Sequence, residues 1–172
     1  MSVLNQAIDY LKSGKMIILV DDEDRENEGD LMIAAECATS ENINFMVQHG
    51  RGLICLSLTG ERLQQLGLPM QVSENRSPFG TNFTISIDHR SVASRGETVS
   101  ARCHTILAAV EASTTAADFT RPGFVFPLRA VEGGVLRRRG QTEGSVDLAR
   151  LAGLNPAGVI CEIMAEDGTM LR

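Results

Sequence analysis

Ten consecutive residues, Asp21-Asp22-Glu23-Asp24-Arg25-Glu26-Asn27-Glu28-Gly29-Asp30, carry seven carboxylates and one arginine. Like charges at this density repel one another and cost stability unless something cationic lies among them. The run follows directly on the apolar stretch Met16-Ile17-Ile18-Leu19-Val20, and Leu31 to Ala35 comes next. Both neighbours read as short strands, so the acids leave a buried strand end, where open α/β sheets tend to place their sites. A solvated acidic loop is the plain alternative. The central Arg25 and Gly29 favour a site, because they let part of the loop approach a ligand closely.

Carboxylate oxygens favour hard cations such as magnesium or manganese. A calcium loop of the EF-hand type can be tested on the letters. Starting at Asp24, acids occupy the required early positions, but Ala35 stands where the bidentate glutamate belongs, and the pattern fails. The net charge of −6 over 172 residues is accounted for entirely by the decapeptide. No basic face or stripe is left for nucleic acid, and without tryptophan and with one tyrosine there is no stacking platform for bases.

The second chemical signal is Arg137-Arg138-Arg139-Gly140-Gln141-Thr142-Glu143, three arginines ahead of a helix start. Guanidinium groups and helix N-terminal amides both suit a phosphate; an exposed basic loop is the alternative. Glu162 lies inside the apolar strand Val159-Ile160-Cys161-Glu162-Ile163-Met164, a partly desolvated setting that suits a general acid or base. The histidines, His49, His89 and His104, show no metal-ligand spacing and read as structural. Cys37, Cys55, Cys103 and Cys161 form no C-x-x-C pair and read as buried thiols of a reducing compartment.

Along the chain, helices are expected from Ser2 to Gly14, from Ser40 toward Gly50, over 61–66, from Ser100 through Val110 and from a Thr142 cap to Leu151. Strands are expected at 15–20, 31–35, 52–58, 81–87, 124–130 and 158–164, with turns at Gly133-Gly134 and Glu166-Asp167-Gly168. No repeat or linker divides the chain. The pattern implies a single α/β domain over residues 1–172, with helices covering a mixed sheet. No apolar run spans a bilayer and no secretory signal opens the chain, so a soluble cytoplasmic protein without membrane contact is expected.

The segment Asp21 to Leu31 (DDEDRENEGDL) resembles the signature of 3,4-dihydroxy-2-butanone 4-phosphate synthase, the riboflavin-pathway lyase. The likeness continues through 49–56, 80–88, 121–130, 134–148 and 157–170. It implies a three-layer α+β fold around a mixed twisted sheet and a homodimer with sites near the subunit interface. It also implies ribulose 5-phosphate as substrate, Mg²⁺ or Mn²⁺ as cofactor and formate as a product. Residue by residue, it puts Arg25 and Glu26 at substrate and metal and Asp30 at a substrate hydroxyl. Arg138, Gly140 and Thr142 fall on the phosphate side, Glu162 at an essential acid and Cys55 at a thiol lining the pocket.

The chain departs from the family's pattern at several points. Gln141 stands where the family has a metal-binding histidine, and Phe124 where it has a catalytic one. The family's Thr-Gly-x-Ser-Ala-x-Asp-Arg is here altered around Glu97 to Arg102, and a common tyrosine is Phe79. A glutamine carbonyl can ligate a hard cation but is no base near neutral pH, and phenylalanine transfers no proton. Two readings follow. One is a divergent lyase in which Glu26 and Gln141 hold the metal, Glu162, Asp30 and Cys55 serve catalysis, and formate release is impaired. The other is an inactive homologue that binds a sugar phosphate or regulates a partner subunit.

Overall fold

The first helix begins where Ser2 Oγ accepts the Asn5 N–H (3.2 Å), and it runs as α1 from Val3 to Lys12. Gly14, at φ +69°, turns the chain out of it, a left-handed conformation that glycine adopts without a Cβ penalty. The computed structural model describes residues 2–172. After α1 come β1 (Ile17–Val20), β2 (Gly29–Ala34), α2 (Ser40–Phe45), β3 (Cys55–Leu58) and α3 (Gly60–Gln65). The chain continues with β4 (Ile87–His89), α4 (Val99–Val110), β5 (Phe119–Arg129), α5 (Gln141–Leu151) and β6 (Ala157–Glu162).

The six strands form one sheet in the order β1-β2-β6-β3-β5-β4, antiparallel throughout except for the β3–β5 pair. Strand alternation sorts side chains onto two faces. Leu31, Ile33, Leu56, Val159 and Cys161 pack with Ile43, Leu63 and Ile106 of α2, α3 and α4. Met32, Cys55 and Ile160 point the other way, toward Leu11 of α1 and Leu148 of α5. The result is the expected three-layer arrangement. Among the described residues no helix is long and apolar enough to cross a membrane.

Several local expectations change. The alternating stretch 81–87 is a strand only at its end: Phe83 and Thr84 make isolated bridges, and β4 starts at Ile87. Its neighbour on β5 includes Pro127, which accepts from Thr84 N–H but has no N–H to return, so the ladder stays broken. Strand β5 begins at Phe119, earlier than expected. Thr98, rather than Ser100, caps α4 through its Oγ1. Helix α5 starts after Gly140 with no side-chain cap, and Thr142 is buried within its first turn. The helix from Ser40 ends in a π-turn over Met46–Gly50, pressed so close to β6 that a Cβ on Gly50 would lie 2.8 Å from Cys161 Sγ.

Candidate active site

Strands β1 and β2 form a hairpin whose connection holds residues 21 to 28, and the acids divide between two environments. Asp22, Glu23 and Asp24 face solvent, whereas Asp21, Arg25, Glu26 and Glu28 turn inward and Asp30 lies in β2 itself. Asp21 organises the loop. Its carboxylate accepts from the Glu28 amide (2.9 Å), the Glu26 amide (3.1 Å) and Arg25 Nη1 (2.6 Å). Burial pushes this carboxyl up, but the two amides and the guanidinium outweigh it and hold it below the ordinary range. The cation that so dense an acidic run needs is therefore Arg25. It also donates to Glu26 Oε1 (2.5 Å) and to Gln141 Oε1 (2.8 Å), and its guanidinium lies 5.8 Å from the Phe79 ring centroid. Sequence reasoning passed over Asp21 as one acid among seven; only its position at the strand end hinted at its role.

Across the ladder, Asp30 is the direct partner of Glu162 on β6. Asp30 is 4% exposed, and burial raises its carboxyl to about 8, helped by the charges of Glu162, Glu26, Glu28 and Asp21. Asp30 is thus mainly a protonated acid at neutral pH. Glu26 is also raised, by burial first and then by Asp21 and Glu28, with Arg25 pulling the other way. Glu162 is held by its backbone and side chain alike: Gly52 N–H donates to its carbonyl (3.2 Å) and Leu53 N–H to Oε2 (2.8 Å). Gly52 permits this closeness, since a Cβ there would collide with the Glu162 carboxylate, its carbonyl oxygen and its Cβ.

The arginine segment supplies one inward cation. Arg137 and Arg139 are exposed, while Arg138 bonds Glu143 Oε2 through Nη1 (2.6 Å) and Thr81 Oγ1 and the Phe79 carbonyl through Nη2 (both 3.2 Å). Gly140 lies so close to Arg138 Nη1 that any side chain would strike it. Gln141 is oriented from both ends, with its Nε2 donating to the Glu28 carbonyl (3.3 Å) and its Oε1 accepting from Arg25. A groove of about 380 Å³ opens between Leu19, Asp21 and Asp22 on one side and Arg139, Gly140 and Gln141 on the other.

The structure therefore joins Arg25, Glu26 and Gln141 by direct contacts, pairs Asp30 with Glu162, and sets Arg138 between Phe79 and the Gly140 backbone. Thr142 is buried, 5% exposed, and does not line this groove. Cys55 packs in the core on one face of the sheet. It is 2% exposed, and burial, with Glu162, Asp30 and Cys161 nearby, holds its thiol well above the ordinary range. Burial of this kind disfavours the thiolate form.

The family model for 3,4-dihydroxy-2-butanone 4-phosphate synthase matches residues 5–172. The chain belongs to the 3,4-dihydroxy-2-butanone 4-phosphate synthase family. A 3,4-dihydroxy-2-butanone 4-phosphate synthase of Pseudomonas aeruginosa is 51% identical over 172 residues, which is 100% of this chain and 47% of that protein. The chain thus spans about half the length of this curated relative. The crystal structure of RibBX, a two-domain 3,4-dihydroxy-2-butanone 4-phosphate synthase from A. baumannii, superposes with a TM-score of 0.95 at 50% identity, covering 99% of this chain and 50% of that one. A further family structure, in complex with two magnesium ions, has a TM-score of 0.91 at 44% identity, over 95% and 76% of the two chains.

The donor set of this synthase-family site fits a hard divalent ion. Glu26 Oε1 and Gln141 Oε1 converge on one cationic group, the Arg25 guanidinium, so oxygen donors from the loop and from α5 already meet around positive charge.

Proposed function

We propose that the chain is a lyase acting on ribulose 5-phosphate or a related ketose phosphate with Mg²⁺ or Mn²⁺, in riboflavin biosynthesis. The observation that carries this reading is the Asp30–Glu162 pair, two facing carboxyls of which one is raised to about 8. A base and an acid side by side suit proton removal next to a ketone. Glu162 takes the proton from the carbon beside the carbonyl, and Asp30 gives one to the developing oxygen charge or a departing hydroxyl. Arg138, braced by Glu143, and the start of α5 serve the phosphate. Cys55 forms a neutral part of the wall.

Glu26 and Gln141 are the residues that would hold the divalent ion, which when bound supplies positive charge to sugar oxygens as they become more negative. Arg25 then turns from Glu26 and Gln141 toward substrate oxygens. The family resemblance puts histidines at the positions of Phe124 and Gln141, and neither residue here can move a proton. Loss of one positioned acid–base group costs about 10²–10⁴ in rate, so formate release is slowed relative to the earlier proton transfers. The half-exposed rings of Phe79 and Phe124 support a homodimer, which sedimentation velocity tests.

The deciding experiment is incubation with ribulose 5-phosphate and Mg²⁺ or Mn²⁺, with products followed by NMR. Consumption of the ketose phosphate with little formate is expected, and a Gln141→His, Phe124→His double variant should raise formate. No turnover of any ketose phosphate would overturn the lyase reading in favour of a sugar-phosphate-binding or regulatory homologue. Formate at ordinary enzyme rates would remove the impairment.

A further inference from the structure

Two histidines that lie fifteen positions apart in the sequence meet at the far edge of the sheet. His89 ends β4 and His104 lies on α4, and His89 Nδ1 is 3.2 Å from His104 Nε2. Ser91 Oγ completes a triangle, 2.8 Å from His89 Nδ1 and 3.2 Å from His104 Nε2. Three donors held about 2.1 Å from one octahedral metal ion are about 3.0 Å apart, so these sides match one face of its coordination shell.

The ring geometry supports convergence rather than simple pairing. A linear N–H···N bond of this length would hold the ring centroids about 5.5 Å apart. They are 4.7 Å apart at an interplanar angle of 77°, so the rings are not joined by a linear N–H···N bond. The Ser91 amide N–H also lies 3.4 Å from His89 Nδ1, a long contact that an ion bound at this nitrogen would displace.

The support around the pair is fixed. His89 N–H donates to Oγ1 of Thr105 (2.9 Å), the fully buried residue next to His104, so strand end and helix are locked at this point. The Phe119 ring meets His89 edge-on at 5.7 Å. His104 and Ser91 are exposed, leaving room for waters in the remaining coordination positions.

We infer that His89, Ser91 and His104 form a facial site for one borderline divalent cation of the zinc, nickel or cobalt class. Imidazole nitrogen selects such ions over the hard cations that suit the oxygen donors of Glu26 and Gln141. The ion clips the 90–98 connection between β4 and α4 and acts as a structural clamp.

The test is calorimetric titration of untagged, chelator-treated full chain with Zn²⁺ and, separately, Ni²⁺, alongside thermal melts. One equivalent should bind with micromolar affinity and raise Tm by about 5–10 °C at a hundredfold excess over Kd. His104→Ala and His89→Ala should each weaken binding about 10–100-fold, while Glu26→Gln leaves it intact. Co²⁺ absorption should report nitrogen ligation, with a signal that either histidine variant diminishes. No binding, or binding of unchanged affinity in both histidine variants, would overturn the site.

Discussion

Glu143 bonds Arg138 Nη1 with one carboxylate oxygen (2.6 Å) and the Val131 amide with the other (2.9 Å), and no part of Glu143 is exposed. Arg138 is thus held by a residue that has no exposed surface of its own. Glu143→Gln preserves the shape but places an amide against a guanidinium. It should cost about 1–3 kcal/mol in denaturant unfolding and weaken ribulose 5-phosphate binding about tenfold or more by calorimetry. Unchanged affinity would mean that Arg138 is not on the phosphate side.

The raised carboxyl of Asp30 makes stability depend on pH. In the unfolded chain it loses its proton near 3.8, and in the folded metal-free chain near 8. Between those values the folded state holds a proton that the unfolded state lacks, so stability falls as pH rises from about 4 to about 8, by a few kcal/mol, and then levels. Asp30→Asn should flatten that slope and melt above the parent protein at pH 8 by about 5 °C or more, while losing turnover. Melts across the pH range in chelator, showing equal slopes for both proteins, would refute the assignment.

Gly52 gives a steric prediction. A Cβ there would lie 2.7 Å from the Glu162 carbonyl oxygen and 2.8 Å from its Cβ. Gly52→Ala should therefore displace Glu162, costing about 1–3 kcal/mol and lowering kcat rather than raising KM. A structure of the variant with Glu162 unmoved would contradict this.

Cys55 should behave as a packing residue. Iodoacetamide at pH 8 should label the half-buried Cys37 of the native protein well before the buried Cys55, Cys103 and Cys161. Cys55→Ala should keep turnover within about tenfold while losing about 1–2 kcal/mol of stability. A loss of turnover beyond that range would restore a chemical role for the thiol.

The parts of this fold carried by local pattern were legible in the sequence: the α1 cap at Ser2, the buried strand β2 after the acidic run, and the turn at Asp167-Gly168. Strand β1, expected to be buried, is instead the edge of the sheet, with Ile18 and Val20 exposed. The 81–87 segment was not, because its alternation is real but the ladder beside it depends on Pro127, whose missing N–H matters only once β5 is known to be the neighbour. Similarly, Gly140 displaced Thr142 as the start of α5 because a close approach to Arg138 decided the position. In the site, residue types announced Arg25, Glu26, Arg138 and Glu162. Sequence could not show that Asp30 would lie opposite Glu162, since strand register is a tertiary fact. His89 and His104 read as separate structural residues for the same reason: their meeting depends on β4 packing against α4.

The arginine at the centre of the acidic hairpin has a further consequence. By satisfying Asp21, Glu26 and Gln141 at once, Arg25 lets the loop keep its shape on its own, so binding of the proposed sugar phosphate and ion would be an exchange of partners instead of a folding event. Recognition then turns on how readily one guanidinium changes allegiance, and its release would set the pace at which the site opens for business.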